Sequence, residues 1–317
     1  MSTAAAPLLR STNITPSGAL AAQLREAANC DFQSQHVPPR EALAWQQPAP
    51  PVQVAQIQSP DPSPVAVAAA AAAGSAPSTR ELALMAADVY NDVAAPPPGY
   101  RVADEAALSN IGLAPQDLSS PQSSFRARVY VREVDGKSQY VVSFRGTTDA
   151  SDWKANAQQG LGLPSDQYAR ALMVAKAVAR HPEADVTITG HSLGGGLASA
   201  AALASGREAT TFNASGLSDA TIHQADGIRA AAGAGPAPKI AAFYVRGEVL
   251  SAVQDGGDRV VGAIFGGVLG GLLVDAPEAY GTRTPLDAVR PAGTHWYQDN
   301  PVARHGMDWV LSSLGAG

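Results

Sequence analysis

The chain has 317 residues, 45% of them hydrophobic, and a formal net charge of −6. This length and apolar content allow a full buried core, while the acidic balance and the lack of a long Lys/Arg run argue against nucleic acid as a partner. The single cysteine, Cys30, excludes an internal disulfide, and no Cys/His spacing is typical of a zinc site. We therefore expect neither a metal nor a cofactor.

The N-terminal region differs in composition from the rest of the chain. Residues 48–77 are rich in Pro and Ala, with almost no charge and no aromatic residue, so they offer too little apolar surface to offset the entropy of ordering. We predict a disordered or weakly structured arm and linker over residues 1–77 and a globular domain over 78–317. The N terminus also lacks the pattern of a signal peptide. We expect synthesis in the cytoplasm, and export by a dedicated secretion system stays open.

The first predicted elements of the domain are a helix and a hairpin. Ser78 and Glu81 form a capping box that precedes apolar residues at helical spacing. Apolar residues alternate from Phe125 onward, and Asp135-Gly136 is a hairpin turn signal followed by a buried strand. An antiparallel hairpin is therefore expected early in the domain.

Helices and strands alternate in the remainder of the domain. We predict a helix over residues 166–180 with Ser165 as its N-cap, and a final amphipathic helix that begins at His305. Between them lie a strand at 186–189, a small-residue helix from 192 to 205, and strands near 209–216 and 239–245. This alternation predicts an α/β fold with a mostly parallel central sheet flanked by helices.

The segment Gly190-His191-Ser192-Leu193-Gly194 matches the nucleophile elbow pattern G-x-S-x-G. Such an elbow is a sharp strand-to-helix turn, in which the glycines allow a close approach of the two elements. A glycine-rich turn with an incidental serine is the structural alternative. Because a predicted strand enters the motif and a predicted helix leaves it, we predict that Ser192 is a nucleophile. It would need a general base, an acid and oxyanion donors.

Two stretches of the sequence point to the oxyanion donors and to a family. The backbone N–H of Leu193 is expected to be one donor, and an N–H beyond Gly146 is expected to be the other. Together, VSFRGTT and TGHSLGGGLA resemble the class 3 lipases, the fungal-type group of α/β-hydrolases, over most of the domain. The resemblance implies an α/β-hydrolase fold and assigns the second donor to Thr147.

The acid is expected between the serine and the base in chain order. Glu248 follows a predicted strand at the spacing where the resembling family carries its acid. The family usually has aspartate there, so the glutamate is a departure. Asp255 and Asp219 remain alternatives.

The base is expected near the end of the chain, where His295 and His305 both lie. The family's base sits at a loop-to-helix junction, which favours His305 over His295. His191, beside the nucleophile, matches the family motif as a packing residue that points to the other side of the elbow.

These observations predict a serine hydrolase that cleaves lipid carboxylic esters. Phospholipase A acting on membrane phospholipids is the first choice, since the resembling family includes bacterial phospholipases delivered into competitor cells. Such a protein would contact a membrane surface transiently and could have an inhibitory immunity partner. A general triacylglycerol lipase or carboxylesterase is the second choice.

Two further segments bear on lipid contact. Residues 260–274 form an apolar run with glycine at every fourth position, shorter than a bilayer span. That run keeps open a rival hypothesis, a non-enzymatic membrane-binding or pore-forming protein. The polar segment around Trp153 lies where the resembling family has a lid.

Overall fold

The computed structural model describes residues 76–120, 123–146, 165–250 and 277–315. The predicted arm and linker up to residue 75, the segment around Trp153 and the apolar run 260–274 lie outside these residues. Thr147 and Asp255 also lie outside them. Predictions on these parts of the chain stay predictions.

The predicted helices and strands occur in the predicted order, but the structure also has elements that were not predicted, among them a helix at Asp219–Ala232 and a strand at Thr282–Leu286. The first helix has the predicted capping box, because the Ser78 hydroxyl accepts from the Glu81 N–H and the Glu81 carboxylate accepts from the Ser78 N–H. The helices are α1 (Thr79–Asp88), α2 (Glu105–Ser109), α3 (Asp166–Ala179), α4 (Leu193–Ser205), α5 (Asp219–Ala232), α6 (Pro301–Arg304) and α7 (Met307–Leu314). The strands are β1 (Arg101–Val102), β2 (Ser119–Ser120), β3 (Phe125–Val134), β4 (Lys137–Phe144), β5 (Asp185–His191), β6 (Ala209–Phe212), β7 (Ile240–Val245) and β8 (Thr282–Leu286).

The strands form a mixed sheet in the order β1-β3-β4-β5-β6-β7-β8, with β2 also paired to β3. The pairs β1–β3 and β3–β4 are antiparallel, and every pair from β4 to β8 is parallel. The β3–β4 hairpin turns at Asp135 and Gly136, which both have positive φ, as a tight hairpin turn requires. The predicted α/β fold with an antiparallel entry and a mostly parallel sheet is confirmed.

Helices cover both faces of this sheet because successive strand residues point to opposite sides. In β4, Val142 and Phe144 join the core on the side of α3 and α4. Val141, between Val142 and Tyr140, packs on the other side against α1 and α7. The carboxyl ends of the parallel strands are therefore left free to carry a site, as is usual in open α/β sheets.

Three local details differ from the sequence-based expectations. Ser165 occupies the N-cap position of α3, but its side chain makes no capping hydrogen bond. His305 does not begin the last helix but follows α6, because the extended backbone of Gly306 separates α6 from α7. Trp309 of α7 is buried, at 1% exposure, a burial that the sequence-based expectations did not include.

Candidate active site

The loop between β5 and α4 has the geometry of a nucleophile elbow. Ser192 has φ 58° and ψ −129°, a sparsely populated conformation with positive φ that costs a non-glycine residue about 1–3 kcal/mol. A Cβ at Gly190 would overlap the carbonyl oxygen of Gly194, and a Cβ at Gly194 would overlap the carbonyl oxygen of Phe144. Only glycine therefore allows the strand and the helix to come this close. This tight turn between β5 and α4 places the Ser192 side chain at the end of the sheet.

The Ser192 side chain meets a histidine from the end of the chain. Ser192 Oγ lies 2.9 Å from Nε2 of His305. The other ring nitrogen of His305, Nδ1, lies 2.7 Å from Oε2 of Glu248. The structure thus brings these three predicted site residues into one hydrogen-bonded chain, although 113 residues separate Ser192 from His305.

Glu248, just beyond β7, is fully buried, with 0% exposure. The same Oε2 that faces His305 also accepts a hydrogen bond of 2.9 Å from the Leu250 backbone N–H. A buried carboxylate is stable only where hydrogen bonds and a partner charge replace water. The Glu248 side chain reaches Nδ1 of His305 from this position, so glutamate in place of aspartate is compatible with contact to the histidine.

Successive parallel strands supply the residues around His305. Ser192 follows β5, Asn213 follows β6, and Glu248 lies three residues beyond the end of β7. All three strands point the same way, so their carboxyl ends place these side chains along one edge of the sheet. His305 is brought to that edge by the α6–α7 junction.

The backbone of His305 is held as firmly as its ring. Its carbonyl oxygen lies 2.7 Å from Nε2 of His191 and accepts a 2.9 Å hydrogen bond from Nδ2 of Asn213. Asn213 is itself fixed, because its Oδ1 accepts from the Val245 N–H at 2.9 Å and its own N–H donates to the Phe243 carbonyl at 2.8 Å. Sequence reasoning missed Asn213. The signal for it was its position directly after a strand neighbouring the elbow strand.

His191 has a different place from the one predicted. It is buried, but its ring faces the site, with its centroid 4.9 Å from that of the His305 ring. Its Nδ1 lies 3.0 Å from the hydroxyl of Tyr90, just beyond α1. Burial, with a smaller effect from the nearby His305, lowers the pKa of His191 to about 3. His191 is therefore a neutral, hydrogen-bonded neighbour of His305 and more than a packing residue.

The proposed oxyanion donors lie at two chain segments beside Ser192. Leu193 is the first residue of α4, where a backbone N–H has no acceptor within the helix. On the other side, a Cβ built on Gly146 would lie 3.1 Å from the Ser192 Cβ, so the end of β4 is next to the serine. Thr147 follows Gly146 directly in the chain, but it lies outside the described residues.

The structure does not bring the alternative base and acid candidates into the described contacts of Ser192 and His305. His295 is exposed, and its ring stacks on Tyr297 with centroids 5.2 Å apart. Asp219 is the first residue of α5, with no hydrogen bond to His305 shown, and Asp255 is not described.

Within the described ranges, no cluster of three metal-binding side chains occurs. No helix in that part of the chain is long and apolar enough to cross a membrane.

Fold and site together define an α/β protein that carries a serine, a histidine and a buried carboxylate in hydrogen-bond contact at the carboxyl ends of its parallel strands. A family model described as phospholipase-like, the Tle-like phospholipase domain, matches residues 81–292. The extracellular phospholipase A1 of Serratia liquefaciens is 35% identical over 235 residues, which cover 74% of this chain and 69% of that protein. The chain belongs to the family of the Tle-like phospholipase domain, and it is a phospholipase.

The comparisons confirm the predicted phospholipase function and the bacterial phospholipase part of the predicted family. The matching family model is the Tle-like phospholipase domain, and membership of the class 3 lipases stays a prediction. The matched range 81–292 includes Ser192 and Glu248 and ends before His305. Catalytic roles for these side chains stay predictions, with the contacts described above as their support.

Proposed function

We propose that the protein is a phospholipase A of α/β-hydrolase type, related to the class 3 lipases, that cleaves an acyl ester of membrane phospholipids through Ser192, His305 and Glu248. The observation that carries this proposal is the continuous hydrogen-bonded chain from Ser192 Oγ through the His305 ring to the buried Glu248 carboxylate. The phospholipase A1 of Serratia liquefaciens supports the sn-1 ester as the bond cleaved.

The geometry supports a double-displacement mechanism. A carboxylate only accepts hydrogen bonds, so Nδ1 of His305 donates to Glu248 and the lone pair of Nε2 faces the Ser192 hydroxyl. As Ser192 Oγ attacks the ester carbonyl, Nε2 takes its proton, and Glu248 stabilises the resulting imidazolium. His305 then gives the proton to the ester oxygen of the lysophospholipid as that oxygen leaves. Water attacks the acyl enzyme with the same proton transfers, which releases the fatty acid and restores the Ser192 hydroxyl.

The negative charge on the carbonyl oxygen needs donors beside Ser192. The Leu193 N–H at the start of α4 suits this role, because the helix dipole also favours a negative charge at that end. The N–H of Thr147 would be the second donor, supported by the close approach of Gly146 to Ser192. Neither donor requires a metal or a cofactor.

The test of the proposal is mass spectrometry of lipid products from phosphatidylethanolamine and phosphatidylglycerol vesicles that carry different acyl chains at sn-1 and sn-2. Wild type should release one free fatty acid and the complementary lysophospholipid, with sn-1 release identifying A1 activity. Ser192→Ala should lower the rate at least about 10³-fold. The control is Ser199→Ala in α4, which removes only a hydroxyl bonded to the Gly195 carbonyl and should retain activity. Full activity of Ser192→Ala would overturn the proposal.

The same pair of variants separates the other candidate functions. A general lipase or carboxylesterase would cleave triacylglycerol or short-chain esters at least as fast as phospholipid, with the same dependence on Ser192. A membrane-damaging protein that is not an enzyme would release vesicle contents equally well with Ser192→Ala. The apolar run 260–274, which motivates that rival, lies outside the described residues.

Transient membrane contact is proposed through exposed aromatic residues that precede His305. Trp296 is 76% exposed, Tyr297 is 64% exposed, and Val302 on α6 is 50% exposed. Trp and Tyr are enriched where a protein meets the interface of a bilayer, because an apolar ring and a polar group suit that layer. A short segment next to the base is thus suited to touch the lipid surface.

Vesicle sedimentation tests this contact. The double variant Trp296→Ser/Tyr297→Ser should bind phospholipid vesicles several-fold more weakly while hydrolysing a water-soluble ester at the wild-type rate. The matched control is Met173→Ser, which replaces another exposed apolar side chain, on α3. Met173 is 57% exposed, and this variant should bind vesicles normally. Equal binding by the double variant would contradict the assignment of this segment.

We further propose that the protein acts outside the cell that makes it, as an antibacterial effector with an inhibitory immunity partner. The extracellular relative in Serratia liquefaciens supports export. Secretion assays with and without the producer's dedicated secretion systems test this, and growth of recipient cells exposed to wild type or Ser192→Ala tests toxicity. Recipients should be harmed by the wild type only.

A further inference from the structure

A partly buried hydrogen-bond chain links the end of β4, beside Ser192, to the backbone of His305. It begins at the Gly146 N–H, which donates to the Tyr90 hydroxyl at 3.0 Å. Tyr90 Oη lies 3.0 Å from Nδ1 of His191, and Nε2 of His191 lies 2.7 Å from the His305 carbonyl oxygen. Two side chains thus connect the end of β4 to the backbone of the proposed base.

The direction of each hydrogen bond in this chain follows from chemistry. A carbonyl oxygen only accepts, so Nε2 of His191 carries the proton and donates to His305. The imidazole is neutral because burial holds the pKa of His191 near 3, so Nδ1 has a lone pair. The single Tyr90 hydroxyl proton can therefore go to Nδ1 at 3.0 Å, in preference to the His191 carbonyl oxygen at 3.4 Å. Every group in the chain has a suitable partner in one arrangement.

Tyr90 is held rigidly by the residues around it. The buried Arg128 guanidinium donates to the Asp88 carbonyl and carboxylate at 2.7 and 2.8 Å, and to the Asn91 carbonyl at 2.7 Å. Arg126 donates to the same Asn91 carbonyl at 2.7 Å. The backbone on both sides of Tyr90 is thereby fixed to β3, and its hydroxyl is an anchored point for the chain to His305.

We propose that Tyr90 and His191 are positioning residues for ester hydrolysis, which set the His305 ring and the end of β4 at the correct places around Ser192. This inference rests on the proposed function of Ser192 and His305. Neither residue touches Ser192 Oγ in a hydrogen bond shown by the structure. Their effect passes through the His305 carbonyl on one side and the Gly146 N–H on the other.

The physical reason is that displacement of about 1 Å in a reacting group can cost a large factor in rate. The α6–α7 junction that carries His305 connects to the sheet through this carbonyl, which accepts from both His191 and Asn213. Loss of the Tyr90 hydroxyl would leave Nδ1 of His191 and the Gly146 N–H without this partner. The ring of His191 could then turn, and its bond to His305 would weaken.

The test is steady-state kinetics of Tyr90→Phe, His191→Gln and the double variant on a soluble ester and on phospholipid. Tyr90→Phe keeps the ring packed on His191 and removes only the hydroxyl, so kcat should fall roughly tenfold with KM within about twofold. The His191→Gln side chain keeps an N–H that can reach the His305 carbonyl, so it should be more active than His191→Leu. The effects of Tyr90→Phe and His191→Gln should be less than additive, because both act on one chain.

The matched control is Tyr140→Phe on β4, which removes the hydroxyl of a buried tyrosine that accepts a 3.3 Å hydrogen bond from Asn110 Nδ2. It should lose stability like Tyr90→Phe while its kcat stays at the wild-type value. Wild-type kcat for Tyr90→Phe, or equal losses of kcat in both tyrosine variants, would overturn the inference. If Ser192→Ala kept full activity, the proposed function itself would fail. If Ser192→Ala were inactive and Tyr90→Phe fully active, only the inference about Tyr90 and His191 would fail.

Discussion

The Glu248 carboxylate lies 2.7 Å from Nδ1 of His305, although none of its surface is exposed to solvent. The proposed acid is thus out of contact with solvent, and the other nitrogen of its partner ring, Nε2 of His305, lies 2.9 Å from Ser192 Oγ. Glu248 would therefore act on the serine only through the histidine. Substitutions at Glu248 can therefore test the effect of its charge and the effect of its side-chain length separately.

Glu248→Gln should lower kcat by about 10²–10⁴-fold, because a neutral amide keeps the shape but no longer stabilises an imidazolium or fixes its tautomer. Glu248→Asp keeps the charge and shortens the side chain, so we expect a smaller loss. The measurement is kcat/KM on a soluble ester, with thermal unfolding to show that each variant is folded. A Glu248→Gln variant as active as wild type would remove this residue from the mechanism.

Substitution of the two C-terminal histidines separates the candidates for the base. His305→Asn should reduce hydrolysis at least about 10³-fold, because no group remains to take the Ser192 proton. His295→Asn should retain most of the activity, since the His295 ring is exposed and stacks on Tyr297. Labelling by a fluorophosphonate probe provides a second measurement and should be lost with His305→Asn only. The reverse pattern would make His295 the base.

The stability of the protein should depend on pH through His191. Burial lowers its folded pKa from 6.5 to about 3, so between these values the unfolded chain binds a proton that the folded protein does not. Its contribution to stability is therefore complete above about pH 6.5 and declines as the pH falls. On lowering the pH from about 8 to about 5, this single group should cost about 2 kcal/mol.

Urea unfolding of wild type and His191→Gln at both pH values tests this. The variant has no group that titrates at this position, so its free energy of unfolding should fall by about 2 kcal/mol less than that of wild type. Identical pH dependence of the two proteins would show that His191 is not the buried neutral group described here.

The buried Arg128–Asp88 pair should be a major contributor to stability. Its side chains are 9% and 4% exposed, and the two charges are 2.8 Å apart. Burial alone would raise the pKa of Asp88, but hydrogen bonds from the Ala95 N–H, Tyr130 and Arg128 outweigh it and lower that pKa below its usual value. Arg128→Met leaves the carboxylate without its counter-charge and should cost about 3–5 kcal/mol.

The control for this prediction is Arg101→Met. Arg101 is paired with Asp104 at 3.1 Å, but both side chains are more than half exposed. Its loss should change the free energy of unfolding by less than about 1 kcal/mol. Chemical denaturation of both variants measures the difference. Equal effects would mean that the Arg128 pair contributes no more than a surface pair.

Much of the fold could be predicted because the relevant signals are local. The capping box at Ser78, the Asp135-Gly136 turn and the glycines around Ser192 each act through residues a few positions apart. The order of helices and strands follows from apolar periodicity, which a single segment carries by itself. The short helix α6 was not predicted, and the predicted start of the last helix at His305 was wrong, since the break between α6 and α7 depends on the backbone conformation at Gly306.

The sequence by itself placed Ser192 between a strand and a small-residue helix. Chain order together with the resemblance to the class 3 lipases favoured Glu248 and His305 as its partners. Only the tertiary structure decided that His191 faces His305 and that Asn213 and Tyr90 join it. These contacts link residues more than 90 positions apart, through Asn213 to His305 and Tyr90 to His191. Such contacts depend on which strand ends and helix ends become neighbours in the sheet, and no local pattern of residues encodes that.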